Sequence, residues 1–291
     1  MNIGLLDIDG HNFPNLALMK ISAYHKSIGD KVEWVNFFNE YDRVYQSKIF
    51  TFSPDNFNVI NSKEIIKGGT GYDPITRLDP KIESCQPDYS IYPNLIHAYG
   101  FLTRGCPNHC AWCIVPKKEG SIHAENDIEE ILQGRKSAIL MDNNVLASEF
   151  GIRQIENIIR LKIKVDFNQG LDVRIIAGNK YIAELLTKVK WIRYLRIACD
   201  TKAQIPYIEI AIKQLAKYGF KSYRIFSYLL VKDIPDAYDR AMFLKQYNIS
   251  VFAQPYRDFT KYSAPSKEQK KFARWINHKA IFNSVKFADY K

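Results

Sequence analysis

Short apolar runs alternate with helically spaced apolar stripes along most of this 291-residue chain, and that alternation predicts its architecture. Near the start, Ile3–Asp7 is a compact apolar run and reads as a buried strand. Pro14–His25 carries apolar positions at helical spacing, with Pro14 near its start and Gly29 beyond its end, the asymmetry expected of a helix. Lys31–Val35 reads as a second strand, Asp42–Tyr45 with Ile49–Phe52 as a third, and Phe57–Ile60 as a fourth. Gly68–Gly71 reads as a turn, because a phosphate loop would need a following Lys-Ser/Thr and a helix signal, and neither is there. Residues 80–96, with Pro80, Pro87 and Pro93, read as a linker that wraps onto the next unit.

From about residue 97 the pattern becomes regular. Strands are expected at Ala98–Thr103, Ala138–Met141, Val165–Phe167, Tyr194–Ala198, Ser222–Leu230 and Ser250–Ala253. Helices are expected at Asp127–Leu132, Glu149–Leu161, Tyr181–Val189, Tyr207–Tyr218 (closed by Gly219) and Asp236–Tyr247. Six βα repeats with right-handed crossovers predict an α/β fold that forms a barrel or partial barrel; an open Rossmann-type sheet fits the periodicity as well. The expected organisation is a small Rossmann-like α/β domain over 1–95, a repeat domain over 96–260, and a basic, aromatic helical extension over 261–291. In parallel α/β folds, ligands meet the loops at the carboxyl ends of strands. Those ends are polar here on nearly every strand: Asp142-Asn143-Asn144, Asn168-Gln169-Gly170 with Asp172 and Arg174, Asp200-Thr201, Tyr228, and Gln254-Pro255-Tyr256.

The first of these loops holds the densest chemistry. Cys106, Cys110 and Cys113 fall within eight positions at CxxxCxxC spacing, so three of the five cysteines lie on one loop. A closed four-iron cluster takes four thiolates, so three would leave one iron open to a bound molecule. Zinc held with His109 or His97 as fourth ligand is the competing reading, although common zinc spacings are paired CxxC units. Unliganded buried thiols are a third.

The segment Phe101–Pro116, with Thr103-Arg104-Gly105 before the first cysteine and Trp112 before the last, resembles the signature of the radical S-adenosylmethionine (radical SAM) superfamily. Its wording is similar to the methylthiotransferase-like and cobalamin-domain branches. The resemblance implies a partial (β/α)6 barrel and a [4Fe-4S] cluster on Cys106, Cys110 and Cys113. It also implies reductive cleavage of SAM to a 5′-deoxyadenosyl radical that abstracts hydrogen from an unactivated C–H bond, with an electron donor such as flavodoxin or ferredoxin. It implies SAM contacts as well: Asp142 or Asn143, within Asp142-Asn143-Asn144, would accept from the methionine ammonium, Arg174 would pair with the carboxylate, and Asp200 would accept from the ribose, with Trp112 and Gln169 nearby. The motif departs from the family's Gly-Gly-Glu. The first domain resembles a shortened cobalamin-binding domain, but it lacks the Asp-x-His-x-x-Gly motif and is short for a corrinoid, so a scaffold without cobalamin is expected. A methylthiotransferase would bring three further cysteines, and only Cys85 stands in that part; Cys199 reads as a core thiol.

Composition adds three expectations. The chain has no run of about 18 apolar residues, which argues against a membrane span, and Met1–Asp7 lacks signal-peptide character. An odd cysteine count argues against a disulfide framework, and a reducing cytoplasm suits iron-bound thiolates. The formal charge of +10 favours a polyanionic partner. Between Lys261 and Lys291, eight Lys or Arg stand against Glu268 and Asp289, interleaved with Tyr262, Phe272, Trp275, Phe282, Phe287 and Tyr290. That mixture fits single-stranded nucleic acid, or a capping helix with aromatics inward and lysines outward. With the resemblance to tRNA-modifying branches, the charge makes nucleic acid or a nucleotide-derived molecule the expected substrate class and a peptide the second; the alternative function is a zinc- or Fe–S-containing nucleic-acid-binding protein without enzymatic activity.

Overall fold

The computed structural model describes residues 1–10, 13–258 and 263–290. The chain forms two compact units, Met1–Ile96 and His97–Lys291. Both are α/β with parallel sheets. No helix among the described residues is long and apolar enough to cross a membrane.

The first unit contains β1 (Asn2–Asp7), α1 (Leu16–Ser27), β2 (Lys31–Trp34), β3 (Arg43–Ser47), β4 (Ile65–Gly68) and the short α2 (Pro80–Glu83). Its four strands are parallel in the order β2-β1-β3-β4. Ile3 and Leu5 of β1 pack with Leu18, Ile21, Tyr45 and Ile82 in a small core. The expected strands at 49–52 and 57–60 do not form, and the fourth strand lies at Ile65–Gly68 instead. The buried Asp9 carboxylate takes the Ile49 and Phe50 N–H groups and the Ser53 hydroxyl, and Asn56 bonds to the backbone of Asn58. Side chains therefore claim the backbone groups that a ladder would need. Residues 80–96 are more than a linker: Ile82 and Tyr89 are buried, and Lys20–Glu83 and Lys26–Asp88 ion pairs bind the segment to α1.

The second unit contains β5 (Ala98–Gly100), β6 (Thr103–Arg104), α3 (Val115–Lys118), β7 (His123–Ala124), α4 (Ile128–Leu132), β8 (Ser137–Leu140), α5 (Glu149–Arg160) and β9 (Lys164–Phe167). It continues with α6 (Val173–Gly178), α7 (Lys180–Lys188), β10 (Lys190–Trp191), β11 (Leu195–Ala198), α8 (Ile205–Lys217), β12 (Ile225–Val231), α9 (Ile234–Gln246), β13 (Ser250–Pro255), α10 (Lys267–Asn277) and α11 (Lys279–Ser284). Two parallel sheets run in the orders β10-β9-β8-β5 and β11-β12-β13, and a parallel bridge joins Leu171 to Ile197. Within the first sheet β5, β8 and β9 pair in chain order with β10 at its edge, within the second β11, β12 and β13 do, and a single bridge from Leu171, beyond the end of β9, reaches β11. The strand expected at 98–103 is two short strands, because β6 leaves the sheet to pair antiparallel with β7.

The C-terminal segment belongs to this second unit. Phe272 and Trp275 are buried and their rings meet Phe282 and Phe287, so the aromatics that offered a stacking surface are core. Tyr262 and Lys261 lie outside the described residues, as does Lys291. Asn277, the last residue of α10, accepts from the Ala253 N–H and donates to the Ala253 carbonyl. Its amide thereby satisfies both backbone groups of one residue of β13, the last strand of its sheet.

Candidate functional site

The cysteine loop hangs between β6 and β7 and is closed at its base. Arg104 meets Glu119 with two nearly parallel hydrogen bonds of 3.0 and 3.1 Å, the fork geometry that fixes orientation as well as distance. The Cys106 N–H bonds to the Gly120 carbonyl. Gly105 has φ +79°, and a Cβ there would meet the Ser121 carbonyl oxygen at 2.3 Å, so only glycine fits.

Three strand ends reach this loop. After β8, the buried Asp142 accepts from the Thr103 N–H at 2.6 Å, the Thr103 hydroxyl at 2.8 Å and the Leu102 N–H at 3.3 Å. Asn143 accepts from the Gly105 N–H at 3.0 Å. Both groups expected to receive a ligand ammonium are therefore committed to holding the loop. Asn144 differs. Its Nδ2 lies 3.5 Å from the Cys106 Sγ and 3.2 Å from Asp172, while its Oδ1 is buried with no hydrogen-bond partner. A buried amide oxygen left unpaired is costly, which marks Asn144 as the free acceptor of this triplet.

After β9, Asp172 gathers Asn108 (3.0 Å), Asn144 and Arg174, whose guanidinium bonds both carboxylate oxygens at 2.9 and 2.7 Å. Burial acts to raise the Asp172 carboxyl, but the bonds and charge of Arg174 outweigh it and leave the group below its usual range. Arg174 also feels the thiols of Cys110 and Cys106. Gln169 stays apart, exposed and bonded to its neighbour Asn168. After β11, Asp200 accepts from the Leu230 N–H and from Trp112, and burial raises its carboxyl. Asp200 lies within the electrostatic reach of Cys110 and Cys113. Asp172 was singled out with Arg174 as part of a polar strand end, whereas Asn108 and the Arg104–Glu119 clip were not; these act through partners farther along the chain, which no local spacing signals.

The thiols repel one another. Burial raises Cys110, the neighbouring Cys113 and Cys106 add to it, and Arg174 opposes; Cys113 is raised by burial and by Cys106. Among the described residues, no group of three or more His, Cys, Asp or Glu side chains is gathered as an ion would need. The donor chemistry nonetheless fits an iron–sulfur cluster: three soft thiols on one glycine-shaped loop, a guanidinium whose charge reaches two of them, and Asn144, whose Nδ2 lies 3.5 Å from the Cys106 sulfur and whose Oδ1 is unpaired. His97, one of the two proposed zinc ligands, bonds to Ser137 at the start of β8, the opposite end of the strands from the cysteine loop. Cys199 is fully buried, with its thiol pushed up to about 12 by burial, and Cys85 donates to the Lys81 carbonyl in the first unit.

Asp142 also makes stability depend on pH. Burial pushes its carboxyl up to about 6, whereas in the unfolded chain it ionises near 4 (roughly the free value). Folding therefore takes up a proton between these values. The stability Asp142 contributes is complete below about pH 4 and is lost as pH rises through about 6. The urea stability of Asp142→Asn, relative to the native sequence, is expected to improve by about 3 kcal/mol between pH 4 and pH 7. A difference that does not change with pH would contradict this.

No family model matches the chain, and no curated protein matches it.

Proposed function

We propose that this chain is a radical SAM enzyme, with Cys106, Cys110 and Cys113 holding a [4Fe-4S] cluster and SAM bound at the loops around them. The observation that carries the reading is the convergence of three separate strand ends on the three-thiol loop, with Asn144 contacting the Cys106 sulfur and keeping a buried acceptor open. Two parallel sheets, each paired in chain order and linked by a bridge between Leu171 and Ile197, support a partial (β/α) barrel, in which such loops share one end.

In this reading the bound cluster and SAM supply a 5′-deoxyadenosyl radical, given an electron from a carrier such as flavodoxin or ferredoxin. The protein's own residues position and shield. Gly105 and the Arg104–Glu119 clip set the loop's course. Asp142 and Asn143 fasten it to β8. Asn144 Oδ1 is the acceptor for a ligand ammonium, in place of the Asp142 or Asn143 expected from sequence. Arg174, held by Asp172, presents positive charge to thiolates or to a ligand carboxylate, and Asp200 with Trp112 offers an acceptor for hydroxyls. Nucleic acid or a nucleotide-derived substrate is supported by the exposed Lys267 and Lys270 at the start of α10, where Gln269 bonds to Val231 and Lys232 at the carboxyl end of β12.

Anaerobic reconstitution tests the proposal. The expected result is a brown protein with about four irons per chain, as a four-iron cluster requires, that cleaves SAM to 5′-deoxyadenosine when reduced. Zinc without iron, and intact SAM, would point to a nucleic-acid-binding protein without this activity.

A further inference from the structure

Charge in the second unit is polarised along its strands. Acids stand at the carboxyl ends, with Asp142, Asp172 and Asp200 among them. At the amino ends the sign reverses. No Asp or Glu occurs in 133–137, 161–165, 187–194 or 218–225, the segments that lead into β8, into β9, into β10 and β11, and into β12. Those segments present Lys136, Lys164, Lys190, Arg193, Lys221 and Arg224, all exposed. Bases in the last turn of a helix offset the helix dipole, as Arg160 of α5 and Lys188 of α7 do. The six residues lie past their helices, so that does not account for them. Lys188 pairs with Glu184, and Asp166, the next acid along β9, is taken by Arg196. Among the described residues none of the six joins an ion pair.

Strand register makes these charges neighbours. Lys164 and Lys190 are direct partners in the parallel pair of β9 and β10, on strands about 5 Å apart. Lys136 stands next to Ser137, the partner of Lys164 on its other side, and the Lys136 carbonyl takes the Lys164 N–H. Leu195 pairs with Ile225, which sets Arg193 and Tyr194 beside Arg224. Like charges on directly paired residues oppose each other, and an anion laid across them relieves that cost.

Aromatic rings complete the rim. Arg193 lies over Tyr194 and Arg224 over Phe220, at 5.2 and 4.5 Å from the ring centroids. A guanidinium held against a ring is preorganised for the forked hydrogen bonds that phosphate accepts. The segment that carries Lys221 and Arg224 also exposes Tyr218 and Tyr223, the latter by 59%. Phosphate-binding charge with bare rings beside it is the combination that holds single-stranded nucleic acid, because unpaired bases are free to stack. A duplex offers the same phosphates but keeps its bases to itself. An anionic bilayer calls for an apolar helix face to bury as well as for charge.

We propose that this amino-end rim of the second unit is a docking surface for single-stranded nucleic acid, with phosphates on Lys136, Lys164, Lys190, Arg193 and Arg224 and a base on Tyr223. The partner class is that of the proposed substrate, but the proposal does not rest on the radical SAM reading. The rim lies at the opposite ends of the strands from the cysteine loop and needs neither iron nor SAM.

The probe is a fluorescein-labelled oligothymidylate, titrated by anisotropy against the full chain without SAM or reductant, so that its failure and a failure of SAM cleavage are separate results. Lys164→Ala/Lys190→Ala should weaken binding by about tenfold or more at about 0.1 M salt. It should also reduce the slope of log affinity against log salt by about 1.4, two phosphate contacts at roughly 0.7 each. Lys31→Ala/Lys63→Ala removes the same charge from lysines that already pair with Glu33 and Asp42 in the first unit, and should leave both readings unchanged. Tyr223→Ala should weaken the single strand by about fivefold or more, the scale of one stacked base, and leave binding of a duplex of equal length unchanged. All these positions are exposed, so the variants should melt as the native chain does. The proposal is overturned by an absence of saturable binding, by native affinity in Lys164→Ala/Lys190→Ala or Tyr223→Ala, or by equal losses in the two lysine pairs. Equal losses for single strand and duplex in Tyr223→Ala, or binding of phosphatidylglycerol vesicles in place of the oligonucleotide, overturn it as well.

Discussion

On the proposed radical SAM reading, Cys110→Ala, purified and reconstituted without oxygen, is expected to bind no iron and to cleave SAM more than about a hundredfold more slowly than the native chain. That exceeds the usual cost of losing an outer partner of a metal ligand. The reason is stoichiometric: the loop offers three thiols. Cys199 is sealed in the core of its unit with its thiol held protonated by burial. Cys106→Ala and Cys113→Ala should behave alike, whereas Cys85→Ala should keep full iron. Asn144→Ala provides the graded comparison. It removes a donor 3.5 Å from the Cys106 sulfur and the unpaired acceptor beside it, so it should retain iron but lose roughly 10- to 100-fold in activity. Iron retained by Cys110→Ala, or an Asn144→Ala protein indistinguishable from native, would remove the basis of the proposal.

Legibility in the sequence followed the range of the interactions. The parallel strands and most helices of the second unit could be read because apolar periodicity is local: Leu195–Ala198 and Glu149–Arg160 announce themselves by spacing. The strands expected in the first unit that do not form were lost to tertiary competition. Ile49-Phe50-Thr51-Phe52 has strand composition, yet Asp9, some forty positions earlier, takes its backbone donors. The site shows the same division. The cysteines and the polar strand ends were visible, but the roles within Asp142-Asn143-Asn144 were not. Three adjacent polar residues look equivalent until the fold assigns Asp142 to Thr103, Asn143 to Gly105 and Asn144 to Cys106. The C-terminal rings were ambiguous for a related reason: helical spacing puts Phe272 and Trp275 on one face but does not say whether that face meets core or nucleic acid. The structure gives it to the core.

Arg240 is the residue that sequence patterning hides most completely, and its removal is expected to be the most destabilising single change in the second unit. An arginine in a helix with several charged neighbours reads as a solvated position, but this one is 1% exposed. The turns of α9 place it on the same face as Ala237, Ala241 and Leu244. Small alanines on either side leave room for the guanidinium to pass inward. There it donates to the Cys199 carbonyl, to the Leu230 carbonyl at 2.9 Å and to Asp236 at 2.7 Å. The two carbonyls lie at the ends of β11 and β12 and flank Asp200, which itself accepts from the Leu230 N–H. Arg240→Ala leaves both carbonyls without that donor and opens a space where a long side chain lay. The expected loss is about 3–5 kcal/mol, the scale for breaking a buried charged network, and a large share of the stability of an ordinary domain. Arg240→Lys should recover only part of it, because an ammonium cannot reproduce the planar fork that serves three acceptors at once. Urea unfolding of the two variants reads both effects. An Arg240→Ala protein within about 1 kcal/mol of native, the scale of a surface substitution, would mean that water replaces the guanidinium and that the strand ends beside Asp200 are held by something else.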